Sequence, residues 1–232
     1  MIRDLSDVIG IFIHIPKTAG KSIMRAVKSD FISSPSLIRK YKKPIGRSPL
    51  RSLVGRHPTA LVTKNNSFED DWNRMYKISW VRNPWQRAVS WWNMTHRKNE
   101  PRYSIDNFKV WLFNPESEGT ESWSSSSRWG KGLLDKFPDK PYNRNPLSAL
   151  TYVSDLDGNI LVDFIGRFEY INEDIDRLNK ELNKNFKVEK NYEHIHYGKN
   201  YEKYYDDESR EYIADICKWE IEKFNYKFEE KA

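Results

Sequence analysis

VIGIFIHIPKTAGKSIMRAV, Val8 to Val27, is the stretch that organises the chain. Ile9, Ile11, Phe12, Ile13 and Ile15 make a short apolar run rich in β-branched side chains, the pattern of a strand buried on both faces. Pro16 stops it. Thr18, Ala19 and Gly20 are small, and Gly20 is expected to let the backbone turn tightly beside a ligand. A helix is expected from about Ser22, with Ile23, Ala26 and Val27 on one face. Strand, small-residue loop and helix together aim backbone N–H groups and a helix dipole at an anion. Lys17, Lys21 and Ser22 add two charges and a hydroxyl there. The bland alternative is an ordinary strand-loop-helix with two solvated lysines.

An ATP-type phosphate loop needs GxxxxGK[ST]. Gly20, Lys21 and Ser22 supply its second half, but its first glycine would fall at Ile15, and Lys17 stands inside the loop. The stretch His14 to Ile23 instead resembles the 5′-phosphosulfate loop of sulfotransferases. Those enzymes take a sulfuryl group from 3′-phosphoadenosine 5′-phosphosulfate (PAPS) and release 3′,5′-bisphosphoadenosine (PAP). A second stretch, VRNPWQRAVS from Val81 to Ser90, places Arg82 at the end of an expected strand over 77–82. Pro84 is suited to the first position of the following helix. Ser90 follows Arg82 by eight residues, two turns into that helix, where a phosphate would receive a charged fork and a hydroxyl bond. This resembles the family's 3′-phosphate motif. The alternative is a structural ion pair and a serine bonded to its own backbone. Asp157 to Ile175 and Tyr204 to Phe228 resemble later parts of the carbohydrate-type members.

The resemblance implies an α/β fold of three layers, a central parallel sheet flanked by helices, related to nucleotide kinases. It implies PAPS as donor, bound by Lys17, Thr18, Ala19, Gly20, Lys21, Ser22, Arg82 and Ser90, and an acceptor hydroxyl on a small molecule or glycan. Lys17 matches the family lysine that faces the leaving oxygen. His57, in Gly55-Arg56-His57-Pro58, resembles a loop histidine acting as base in some members, although Arg56 intervenes; Glu69, Asp70 or Asp71 are the alternatives, and His14, just before the loop, could as easily orient the loop as take a proton. Arg167, at the end of an expected strand over 164–166, is a candidate cofactor contact, with a pair to Glu169 as the alternative. His194, His196, Lys199 and Asn200 are candidates for a lid, against plain solvated loop residues. No second carboxylate motif points to Mg²⁺, so no metal is expected.

Length and composition bound these readings. A chain of 232 residues is long enough for one large domain, expected to span 1–232 with irregular excursions at 29–53 and 114–146. A charged fraction of 31% and a net charge of +6 favour anionic ligands. The single cysteine, Cys217, excludes an internal disulfide and suits a reducing compartment. Neither a membrane span nor a signal peptide is expected, which makes the cytoplasm the expected location. Two rival functions are a phosphate-loop ATP-dependent kinase and a non-enzymatic basic nucleic-acid binder. The missing first glycine opposes the former, and the absence of any nucleic-acid motif opposes the latter.

Shorter features complete the reading. Ala60 to Thr63 is expected as a strand, and 68–75 as a short acidic helix or turn. Ser104 is expected to cap a helix burying Phe108, Trp111 and Leu112. Thr151 to Val153 and Asn159 to Phe164 flank Asp157-Gly158 as a hairpin. Asn172 is expected to cap a helix burying Ile175, Leu178 and Leu182. One final helix is expected over 206–224, with Ile213, Ile216, Cys217, Ile221 and Phe224 inward.

Overall fold

The computed structural model describes residues 5–41, 57–95, 105–113, 145–189 and 200–229. Strand β1 (Gly10–Ile13) leads through the loop into α1 (Gly20–Val27), then β2 (Phe31–Ser33) and α2 (Ser34–Lys40). Helices α3 (Ala60–Asn65) and α4 (Glu69–Arg74) precede β3 (Tyr76–Val81) and α5 (Pro84–Thr95). After α6 (Ile105–Phe113) and α7 (Leu150–Val153) come β4 (Phe164–Arg167), a 3₁₀ turn and α8 (Ile171–Leu182). A second 3₁₀ turn, α9 (Asp207–Ile216) and α10 (Lys218–Phe224) follow.

The four strands form one parallel sheet in the order β2-β1-β3-β4. Alternation along the strands divides the core into two layers. Phe12, Ile78, Trp80 and Phe164 meet Ile23 and Val27 of α1 and Ile175 and Leu178 of α8 on one face. Ile11, Ile13 and Val81 meet Trp85, Ala88, Val89 and Trp92 of α5 on the other. Helices therefore cover both faces, as the β-branched, continuously apolar β1 requires. The expected three-layer α/β fold is the observed one.

Several local expectations are corrected. Residues 31–40, read as irregular, form β2 and α2. They are short and fixed by distant contacts: Ser34 Oγ donates to the Phe12 carbonyl at 3.0 Å, and Leu37 and Ile38 are buried. Ala60 to Thr63 is helical, not a strand. Thr59 Oγ1 accepts from the Val62 amide at 3.1 Å, an N-cap that decides between two structures the short run Ala60 to Thr63 leaves open. The hairpin over 151–164 does not form. Residues Leu150–Val153 are helical, and Asp155 Oδ1 accepts from the amides of Asp157 and Asn159 in a tight turn with Gly158 at φ 89°. One antiparallel bridge, Ser154 to Ile160, closes that turn, and Phe164 then pairs parallel with Ile78.

Helix α8 grows out of the 3₁₀ turn at Phe168–Tyr170, so Tyr170 rather than Asn172 is its N-cap. The expected last helix is two. Cys217, at φ −109°, breaks it, and Ile221 and Phe224 are half-buried. Cys217 itself is buried and free, with Sγ donating to the Leu147 carbonyl at 3.0 Å. Gly55, Arg56, His96, Ser104, His194, His196, Lys199 and 114–144 lie outside the described residues.

Candidate functional site

The chain leaves β1 toward β2 and returns to the other side of β1 as β3. The strand order therefore reverses between β1 and β3, and ligands of open parallel sheets bind outside the carboxyl ends at such a point. The two motifs sit there: residues 14–19 follow β1 and Arg82 follows β3.

The loop departs from the expected use of glycine. Lys17 (φ 70°) and Ala19 (φ 59°) hold the left-handed conformation, at roughly 1–2 kcal/mol each. Thr18 between them is fully buried, its hydroxyl donating to the Ile15 carbonyl at 2.9 Å. The amides of Ser22 and Ile23 both donate to the Ala19 carbonyl, starting α1 at Gly20, two residues earlier than expected. Alternation of backbone hand turns successive N–H groups to one side, a concavity suited to an anion. Gly20 is needed for space: a Cβ there would lie 1.9 Å from His14 Nε2.

The His14 ring is wedged between Gly20, Phe12 (stacked, centroids 5.5 Å apart) and His57 (edge-on, 4.4 Å). Burial, helped by His57, Lys21 and Lys17, pushes its pKa down to about 3, so it is neutral. His57 Nδ1 lies 3.2 Å from the His14 carbonyl. A carbonyl only accepts, so Nδ1 carries the hydrogen and Nε2 keeps the basic lone pair. Lys17 is pushed down to about 8 by burial and by its neighbours Arg82 and Lys21. The fold thus brings Lys17, Lys21, Arg82, His14 and His57 within one electrostatic neighbourhood.

Arg82 is 6% exposed, with its guanidinium 4.3 Å from the Phe168 ring centroid. Among the described residues its one hydrogen bond is a long one, Nη2 to Gln86 Oε1 at 3.4 Å, and buried Nε has none. Ser90 is buried in α5. Asn83 Oδ1 accepts from the Gln86 amide at 3.3 Å at the start of that helix. The alternative partner named for Arg167, Glu169, is not the one it takes: Arg167 forks onto Asp174 (3.0 and 3.1 Å). Glu169 instead accepts from the Asn83 amide and the Tyr226 hydroxyl, a pairing with no local signal because Tyr226 lies 57 residues away. A cavity of about 340 Å³ opens beside Ser22, lined by Arg25, Ala26, Lys28, Lys187 and Glu189. Among the described residues no group of three or more His, Cys, Asp or Glu is placed to hold a metal, and no helix is long and apolar enough to cross a membrane.

A protein-family model described as "Sulfotransferase family" matches residues 7–227. Comparison with curated proteins and with solved structures finds no match.

Proposed function

The chain belongs to the sulfotransferase family, and on that premise we propose that it moves a sulfuryl group from PAPS to an acceptor hydroxyl, foremost a sugar hydroxyl, releasing PAP. The observation that carries this reading is two cations at the ends of neighbouring strands, the half-buried Lys17 and the buried Arg82, that form no ion pair within 4.0 Å among the described residues. Burying charge without a partner is costly, so these groups are built for an anion that arrives from outside. In this reading the amides of residues 17–22, Lys21 and the Ser22 hydroxyl hold the 5′-phosphosulfate. Arg82 and Ser90 hold the 3′-phosphate, and the cavity beside Ser22 takes the nucleoside. Arg167, already forked to Asp174, borders the site. The whole chain, 1–232, acts as one domain, and its single free cysteine suits a cytoplasmic setting.

The chemistry follows from placement. The acceptor oxygen bonds to sulfur while the bond from sulfur to the bridging phosphate oxygen breaks. His57 Nε2 takes the acceptor's proton. The Lys17 ammonium faces the bridging oxygen and stabilises the charge left there. Lys17, Lys21 and Arg82 supply the positive charge this transfer needs.

Thermal unfolding with PAP and with AMP tests the reading. At a hundredfold excess over its dissociation constant PAP should stabilise the fold by about 2.7 kcal/mol, which raises the melting temperature by roughly 5–10 °C for a chain of this size. AMP, lacking the 3′-phosphate, should do much less. Equal shifts would remove Arg82 and Ser90 from the site.

A further inference from the structure

Arg82 is buried against Phe168 with most of its donors unspent, yet a carboxylate, Glu169, is the next residue along from that ring. A carboxylate and a guanidinium so placed would ordinarily close into a fork. They do not: no ion pair within 4.0 Å joins them. Both oxygens of Glu169 are already held. Oε1 accepts from the Asn83 amide at 2.7 Å, and Oε2 accepts from the Tyr226 hydroxyl at 3.0 Å.

Tyr226 is itself fixed. It is buried, and the neighbouring Lys227 carbonyl accepts from Asn83 Nδ2 at 2.9 Å. Phe228 then packs against Trp85, Tyr201 and Tyr205 at centroid distances of 5.5–5.6 Å. Asn225, left-handed at φ 54°, turns the chain from α10 into this position. The tail therefore reaches under the strand end that carries Arg82.

We propose that Tyr226 is a positioning residue for 3′-phosphate recognition: with Asn83 it holds the Glu169 carboxylate where it balances the charge of Arg82 without bonding to it, so the guanidinium keeps its donors for a phosphate monoester. This rests on the reading of Arg82 as a phosphate ligand. Charge balance is visible in Arg82 itself, whose pKa burial pushes down to about 10 while Glu169 works in the opposite direction. Without the Tyr226 hydroxyl, Oε2 is free to turn toward the unspent donors of Arg82, whose charge it already feels. An internal ion pair then competes with the ligand.

Calorimetric dissociation constants for PAP and AMP test this on the full chain. Tyr226→Phe keeps the ring and removes the hydroxyl. It should weaken PAP by about tenfold, the scale of one charged hydrogen bond, and leave AMP within about twofold. Tyr226→Phe combined with Glu169→Gln should recover PAP affinity, because a neutral amide competes for Arg82 far more weakly than a carboxylate does. Glu169→Gln alone should bind PAP at least as tightly as wild type, since a negative charge beside the phosphate is gone. That variant decides the matter if Tyr226→Phe fails to fold. An unchanged PAP-to-AMP ratio in Tyr226→Phe, failure of the double variant to recover, or weaker PAP binding by Glu169→Gln would each overturn the proposal. A wild type that does not prefer PAP to AMP would instead sink the phosphate reading of Arg82 beneath it.

Discussion

Lys17 is costly to the folded chain twice over, once in its left-handed backbone and once in its largely desolvated ammonium. Its pKa, about 8 in the fold, lies below the value near 10.4 of an unfolded chain. Between those values the unfolded chain binds more protons, so stability rises with pH there, and below about 8 the cost of burying the charge is felt in full. Lys17→Met keeps the backbone demand and removes the charge. It should melt higher than wild type at pH 7 while turnover falls far more than PAP affinity, because the charge it faces grows mainly in the transition state. Wild-type kcat/KM should decline as pH rises through about 8, when the free enzyme loses the ammonium. A variant that loses binding and turnover equally would remove Lys17 from the leaving oxygen. That Lys17, Lys21, Ser22, Arg82 and Ser90 follow or flank the ends of β1 and β3 was legible in the sequence, because each motif is contiguous and its spacing states where its residues stand. His14 stood in the same stretch as a residue to orient the loop or take a proton, whereas the contact of Glu169 with Tyr226 was not legible, because only the folded chain brings the two together.

At the scale of elements, strand β1, the loop and α1 act as one unit through the contact of Gly20 with His14. A methyl at position 20 would collide with a ring that Phe12 and His57 leave no room to move. Gly20→Ala should therefore cost about 1–3 kcal/mol by overpacking, and turnover should drop beyond that loss because His57 is displaced with the ring. An unaltered melting temperature would contradict the wedge. The longer elements β3 and α5 read from sequence to within a residue of their expected starts, and β1 to within two residues of its expected end at Ile15. Short elements did not, and for a common reason. The three apolar residues at the start of α3 suit a strand equally well until the Thr59 cap is formed, and α7 lacks the length to show a helical period. The turn at 155–159 was expected, but its Asp155 bonds close a loop without pairing two strands.

Across the whole molecule, Glu220 ties the last helix to the turn at 145–149. Its carboxylate accepts from the Ala149 amide at 2.7 Å and the Ser148 hydroxyl at 3.3 Å, and Arg87 of α5 donates to the Pro146 and Leu147 carbonyls beside it. Burial pushes Glu220 up to about 7, opposed chiefly by Arg87. The folded state then holds a proton that the unfolded chain releases near 4.3. Its stabilising contribution is complete below that value and is lost as pH rises through about 7. Glu220→Gln should flatten the fall in melting temperature between pH 5 and 8; parallel curves for the two proteins would rule this out. The sheet order has a consequence for synthesis as well. The central pair, β1 with β3, is joined across 66 residues, and β3 with the start of β4 across 86. At about 5–20 residues per second on the ribosome, β1 waits several seconds for its first inner neighbour. The most apolar strand of the sheet thus spends that interval with one edge paired to β2 and the other open, and the early burden of keeping it from other chains falls on the short β2 and α1 that follow it.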